Sequence, residues 1–218
     1  MDITVDQRSV IVFDLDDTLY NEITYLQSAY REIAKKIDPK KWRQLFATMF
    51  SLYRCSKNVF DFLAQEYNCD KDELLSTYRN HKPEIALFHG ALPLLKNIRE
   101  KSGKIGLITD GRSQTQRAKL QALGIQDLFD IIIISEEFGS EKPDIRNYLA
   151  IAEAFPDHTY CYIADNIRKD FIAPNQLGWE TICLLDNGLN IHHSAHLYMT
   201  PKHLPSKFVT SLTELRVV

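Results

Sequence analysis

Three carboxylates stand within four residues at Asp14-Leu15-Asp16-Asp17, directly behind the apolar run Val10-Ile11-Val12-Phe13. A short run of that kind reads as a buried parallel strand. In open α/β sheets the crevice beyond the strand carboxyl ends is where ligands bind. Asp14 and Asp16 lie two apart, so they project from one side if the strand continues through them. Two carboxylates about 4 Å apart repel by roughly 4 kcal/mol at an effective dielectric near 20. Either one is protonated or a cation lies between them. Mg²⁺ suits oxygen-only ligands and keeps waters that a phosphate can displace. Read alone, the Asp-x-Asp pair also fits a solvated turn after a strand, and the rest of the chain has to decide.

The elements that position these acids follow from periodicity. From Gly90 onward, helix and strand patterns alternate. Strands are expected at 104–109, 131–134, 160–164 and 180–185, and helices at 91–102, 113–123, 143–155 and about 168–177. Ser113 is placed to cap its helix and Gly124 to stop it. Pro143 can open the next one, and Pro174 implies a kink or early break. Such alternation means a parallel sheet covered on both faces with right-handed crossovers. In that sheet Asp14 and Asp16, then Thr109-Asp110-Gly111, then Asp165 all fall at carboxyl ends, and Lys142 lies between the last two. Residues far apart in sequence therefore share one rim. Three carboxylates, a lysine and a hydroxyl are what phosphoryl transfer needs: a nucleophile, a metal, positive charge for the equatorial oxygens and an acid for the leaving group.

Residues 22–80 break this grammar, with helical spacing and no strand-like alternation. Tyr25, Ala29, Ile33 and Ile37 form one stripe, Leu45, Phe46, Met49, Phe50 and Tyr53 a second, and Val59, Phe60, Leu63, Ala64 and Tyr67 a third. Such stripes are the core of a helix bundle rather than a cofactor box.

Asp14-x-Asp16-x-Thr18, Thr109 after an apolar strand, Lys142-Pro143 and Asp165-x-x-x-x-Asp170 resemble the four motifs of the haloacid dehalogenase-like hydrolase superfamily, over residues 8–20 and 90–187. The resemblance implies an α/β fold: a Rossmann-like three-layer parallel sheet core at 1–20 and 82–218, with an inserted all-helical cap domain at 21–81. It implies that Asp14 attacks phosphorus to give an aspartyl-phosphate, and that Asp16 protonates the leaving oxygen and later activates water. Mg²⁺ is expected on Asp14, the backbone carbonyl of Asp16, and Asp165. Thr109 with the Asp110 and Gly111 amides is expected to bind phosphoryl oxygens, Lys142 to neutralise charge, and Arg112 to meet a second anionic group. Thr18, Asn166 and Asp170 are assigned to supporting the site, Asn166 with an alternative as a metal or water contact, and Asp17 with Thr18 to shaping the turn. Ala164 stands where the family often has glycine. The cap is expected to hinge near 20–23 and 81–89, with Tyr20, Asn21, Arg54 and Lys57 as candidate contacts. Because halide leaves without a proton and an alkoxide does not, the second acid at Asp16 favours a phosphatase over a dehalogenase.

Length, composition and charge bound the rest. At 218 residues, 44% hydrophobic, with a net charge of −3, the chain gives no case for nucleic acid or an anionic membrane as partner. Cys55, Cys69, Cys161 and Cys183 lack metal or redox spacing, and the polar first eight residues lack a signal-peptide core. A cytoplasmic enzyme acting on a small phosphate ester is expected, its oligomeric state unread. The rival readings are a phosphomutase, a receiver-like signalling module and a silent binding protein on the same fold. His192, His193, His196 and His203 in the tail lack an acid or cysteine to complete a metal set and read as exposed loop histidines. Residues 211–215 read as a short terminal helix.

Overall fold

The computed structural model describes residues 1–192 and 195–218, apart from the side chain of His196. The chain forms two compact units, one from Met1–Glu22 and Ala86–Val218, the other from Ile23–Ile85.

The first unit is built on a six-stranded sheet, all parallel. After a two-residue strand β1 (Asp2–Ile3), β2 (Ser9–Phe13) is buried along its whole length, as its unbroken apolar run demands. Past the helical unit come α5 (Ala91–Glu100), β3 (Lys104–Thr109), α6 (Ser113–Leu123), β4 (Ile131–Ile134), the short α7 (Ser135–Phe138), α8 (Ile145–Ala154), β5 (Thr159–Ala164), α9 (Ile172–Gln176) and β6 (Glu180–Leu184). Strands β7 (Lys207–Val209) and β8 (Arg216–Val217) close the chain, β8 pairing with β1. The sheet order is β4-β3-β2-β5-β6-β7. The order reverses beside β2, so its carboxyl end and that of β5 flank the switch point where such sheets bind ligands. Phe13 lies opposite both Leu107 and Ile163, which levels the three strand ends.

In the second unit α1 (Glu22–Ile37, whose first residue belongs to the sheet unit), α2 (Trp42–Arg54), α3 (Val59–Tyr67) and α4 (Lys71–Asn80) enclose a core of Leu26, Tyr30, Ile33, Leu45, Met49, Val59, Leu63 and Leu74. The expected stripes supply Ile33, Leu45, Met49, Val59 and Leu63, while Leu26, Tyr30 and Leu74 lie outside them. Asn58 and Asp70 cap α3 and α4 by accepting backbone N–H groups.

Local expectations needed correction in several places. The strand stops at Phe13 rather than running through Asp16, and Asp17 adopts φ +55° with its carboxylate accepting the N–H groups of Glu22 and Ile191. Asp14 and Asp16 are therefore splayed by a turn. Arg112, not Ser113, holds the N-cap position of α6, and the Ser113 N–H is satisfied by Glu136. Asp144 caps α8 in place of an opening at Pro143. Helix α9 starts later than read, so Pro174 falls in its first turn, where it removes no helical hydrogen bond, and no kink is needed. Residues 212–214 form one 3₁₀ turn under a Ser211–Glu214 capping box. The edge strand β7 escaped the sequence reading because three residues, two exposed and one buried, are too few to carry a period.

Phe13 is fully buried directly ahead of Asp14. Phe13→Ala is expected to lower stability by about 3–5 kcal/mol, read by urea denaturation.

Candidate active site

Asp14 follows the last residue of β2, its N–H donating to the Ile163 carbonyl at 3.0 Å. Asp165 follows β5, and Asp170 lies one turn further on. One oxygen from each of Asp14, Asp165 and Asp170 falls within 4.8 Å of the others. Lys142, on the loop between α7 and α8, reaches across this group. Its Nζ donates to Asp14 Oδ1 at 2.6 Å and to the Tyr162 hydroxyl at 3.3 Å, and it forms an ion pair with Asp170 Oδ1 at 2.8 Å. The Lys142 side chain is 1% exposed. Burial alone pushes its amine down, but Asp14 and Asp170 more than reverse that.

The acids are under strain of charge. Burial, with the neighbouring Asp170 charge and against the pull of Lys142, raises Asp14 to about 7. Burial, together with Asp170 and Asp14, carries Asp165 well above the usual carboxylate range. Asp165 Oδ2 accepts from Asn190 at 2.9 Å, and its Oδ1 takes a 3.4 Å contact from the Thr18 hydroxyl. One lysine does not balance three carboxylates, two of them buried and Asp165 half-buried. An all-oxygen cluster with excess negative charge fits a hard divalent cation such as Mg²⁺, and Asp14, Asp165 and Asp170 are the side chains that would hold it. Asp170 joins this set on geometry, although sequence gave it only a supporting place. It also accepts the Asn166 N–H at 3.0 Å.

Asp16 is held apart from that cluster. Its Oδ1 accepts from Lys119 Nζ at 2.6 Å and from the Tyr20 hydroxyl, and its Oδ2 from Gln116 Nε2 at 2.8 Å. Burial works to raise this carboxyl, but Lys119 and the three hydrogen bonds bring it below its ordinary value. Thr109, at the end of β3, is 1% exposed and its hydroxyl takes the second Gln116 bond at 2.5 Å. Asp110 is locked between the Lys142 N–H at 3.0 Å and Lys169 Nζ at 2.5 Å. The Gly111 N–H donates to Ser135 Oγ at 2.9 Å. A cavity of about 310 Å³ joins these parts, lined among others by Asp14, Asp16, Thr109, Gly111, Asp165 and Asn166.

Not every expected residue comes to this cavity. Arg112 is exposed at the N-cap of α6 and does not line it. Asn166 lines it, but spends its side-chain oxygen on the Arg168 N–H at 3.1 Å. Tyr20 is fully buried in the sheet unit. His192 is exposed and lines the cavity, and His203 bonds Thr200 at 2.7 Å. His193 and the His196 side chain lie outside the described residues. Sequence reasoning missed Gln116, Lys119 and Glu22. The polar 116-x-x-119 pair on the inward face of α6 was the available signal. Glu22 lines the cavity, and burial with the Asp16 charge raises its carboxyl to about 8.

Comparison with known proteins decides the family. The model of the haloacid dehalogenase-like hydrolases matches residues 11–184. The chain belongs to the haloacid dehalogenase-like hydrolases. This haloacid dehalogenase-like hydrolase is 31% identical over 191 residues to the glyceraldehyde 3-phosphate phosphatase of Methanocaldococcus jannaschii, covering 80% of this chain and 84% of that one. It is 29% identical over 223 residues to the pyrimidine 5'-nucleotidase YjjG of Escherichia coli, covering 94% and 95%. Its fold matches the magnesium-bound hydrolase YfnB of Bacillus subtilis with a TM-score of 0.66 at 19% identity, over 94% and 96% of the two chains.

A cation competes with protons for Asp14 and Asp165. The shift of Asp14 to about 7 means that this acid binds fewer protons, and the cation more readily, as pH rises through that value. The increase in melting temperature on adding Mg²⁺ is therefore expected to be larger at pH 7.5 than at pH 5.5, checked by differential scanning fluorimetry against a chelated control.

Proposed function

We propose that this phosphomonoester hydrolase of the haloacid dehalogenase-like family is a Mg²⁺-dependent phosphatase that acts on a small phosphate ester through an aspartyl-phosphate on Asp14. What supports this reading above all is the meeting of Asp14, Asp165, Asp170 and Lys142 at one rim of the sheet, with Asp16 and Thr109 lining one cavity with Asp14 and Asp165. Mg²⁺, when bound, supplies positive charge against the phosphoryl oxygens.

The chain's own groups carry the remaining steps. Lys142 holds Asp14 Oδ1, so attack on phosphorus falls to Oδ2, and the buried ammonium offsets repulsion between carboxylate and phosphate. Thr109 offers a hydroxyl to a phosphoryl oxygen. As the phosphate arrives, its negative charge favours the protonated form of Asp16. Asp16 then gives that proton to the leaving oxygen while the bond from phosphorus to that oxygen breaks. In the second half, the Asp16 carboxylate takes a proton from water as the water attacks phosphorus, and the bond from phosphorus to Asp14 breaks with its electron pair returning to the Asp14 carboxylate. The backbone carbonyl of Asp16 and the Asp110 amide complete the proposed cation and phosphate contacts.

The named relatives act on a triose phosphate and on nucleotides, and we assign the substrate to the class of small sugar-type or nucleoside phosphomonoesters. No described helix is long and apolar enough to cross a membrane. All four cysteines are free, Cys161 and Cys183 buried, in keeping with a cytoplasmic enzyme. The test is phosphate release from a panel of triose phosphates, sugar phosphates and nucleoside 5'-monophosphates. Release is expected with Mg²⁺ and without a sugar bisphosphate primer, and is lost with chelator. Asp14→Asn is expected to lose at least a thousandfold in kcat while keeping its far-ultraviolet circular dichroism. Full activity in Asp14→Asn removes the nucleophile from the account.

A further inference from the structure

We propose that Gln116 is a positioning residue that holds Asp16 and Thr109 in one frame, so that the proton donor and the phosphoryl-binding hydroxyl meet the same ester together. This inference rests on the phosphatase reading above. Gln116 projects from the first turn of α6, is 1% exposed, and donates from Nε2 to both Asp16 Oδ2 at 2.8 Å and Thr109 Oγ1 at 2.5 Å. A primary amide has two N–H bonds and can make both at once. These bonds join side chains from two different strand ends.

The surroundings fix the amide in turn. Gly111 adopts φ +136°, and a Cβ there would stand 3.3 Å from Gln116 Cδ and 3.4 Å from its Cγ. The glycine of the Thr109-Asp110-Gly111 turn thus leaves the space that the Gln116 side chain fills. On the far side, Lys119 and Tyr20 hold the other Asp16 oxygen. Asp16 is gripped at both oxygens, and Gln116 is the one grip that also reaches the phosphoryl-binding hydroxyl.

The consequence is selective. In the first step Asp14 forms its bond to phosphorus, the bond from phosphorus to the leaving oxygen breaks with its electron pair going to that oxygen, and Asp16 supplies the proton. General-acid transfer requires the donor within about 2.6–3.2 Å of its target. An alkoxide needs that proton to leave, and p-nitrophenolate does not. Misplacing Asp16 therefore slows alkyl esters and largely spares p-nitrophenyl phosphate, whereas damage to the fold or to phosphate binding slows both alike.

The experiment compares kcat/KM for an alkyl phosphate and for p-nitrophenyl phosphate in wild type, Gln116→Met, Gln116→Asn and Asp16→Asn. This constant reports steps up to formation of the acyl phosphate, so hydrolysis of the shared intermediate does not enter. The ratio for the two esters is taken on one preparation, so any unfolded fraction cancels. Gln116→Met is expected to lose at least tenfold more on the alkyl ester, Gln116→Asn to shift the ratio the same way, and Asp16→Asn to split the esters further. If Asp16→Asn splits them and both Gln116 variants lose equally on the two, or lose nothing, the proposal is overturned and the phosphatase reading stands. If Asp16→Asn loses both equally, the acid role falls and takes the proposal with it. A wild-type chain that releases phosphate from neither ester overturns the phosphatase reading itself.

Discussion

Everything in the sheet unit is arranged around the contact between Lys142 and the carboxylates it touches. Asp14, Asp165 and Asp170 bring one oxygen each within 4.8 Å of the others, two of the acids buried and Asp165 half-buried, with the Lys142 ammonium among them. Each like-charge pair at such range repels by roughly 4 kcal/mol at an effective dielectric near 20. Removing one partner of a buried ion pair costs about 3–5 kcal/mol, because the survivor stays buried and unpaired. A parallel sheet tolerates this concentration because its strand ends present backbone already satisfied by neighbours, as the Asp14 N–H is by Ile163. The residual negative charge is what makes the rim a cation site.

A second lysine does different work on the next acid. Lys119 holds Asp16 as Lys142 holds Asp14, and the two acids respond in opposite senses. Two carboxylates whose environments push them apart are suited to two roles. A divalent cation against Asp14 favours the ionised form that attacks. Asp16, kept as a carboxylate until an anionic ester approaches, is suited to trade a proton in both directions. The division follows from which helix or loop supplies the lysine: α6 reaches the turn after β2 from one side, and the loop ahead of α8 reaches it from the other.

Much of this was legible in the sequence, for physical reasons that also mark where legibility ended. The runs at 10–13, 105–108 and 131–134 are short and apolar without alternation, as strands covered on both faces are, so the parallel sheet and its loaded rim could be read from them. The helical stripes of 22–80 declared themselves by period. Sequence placed Asp14, Thr109 and Asp165 at strand ends that the sheet levels, and Lys142 on a loop between two of those strands. It could not place Gln116 or Lys119, because polar residues on a helix read as solvated unless one knows that their face turns inward. Sequence left open whether the strand continued past Phe13, and so did not show the turn at Asp17 beyond which the two acids meet separate lysines. The edge strand β7 and the late start of α9 were lost because each is too short to express a pattern.

The central claim is that Asp14 accepts the phosphoryl group beside a cation held by buried acids. A crystal structure of the chain with Mg²⁺ and beryllium trifluoride, which mimics an acyl phosphate on a carboxylate, tests it most directly. The account predicts the beryllium bonded to an Asp14 oxygen, Lys142 still against that carboxylate, and Mg²⁺ touching Asp14 and Asp165. Mg²⁺ bound away from these acids, or the beryllium bonded to any other carboxylate, contradicts it.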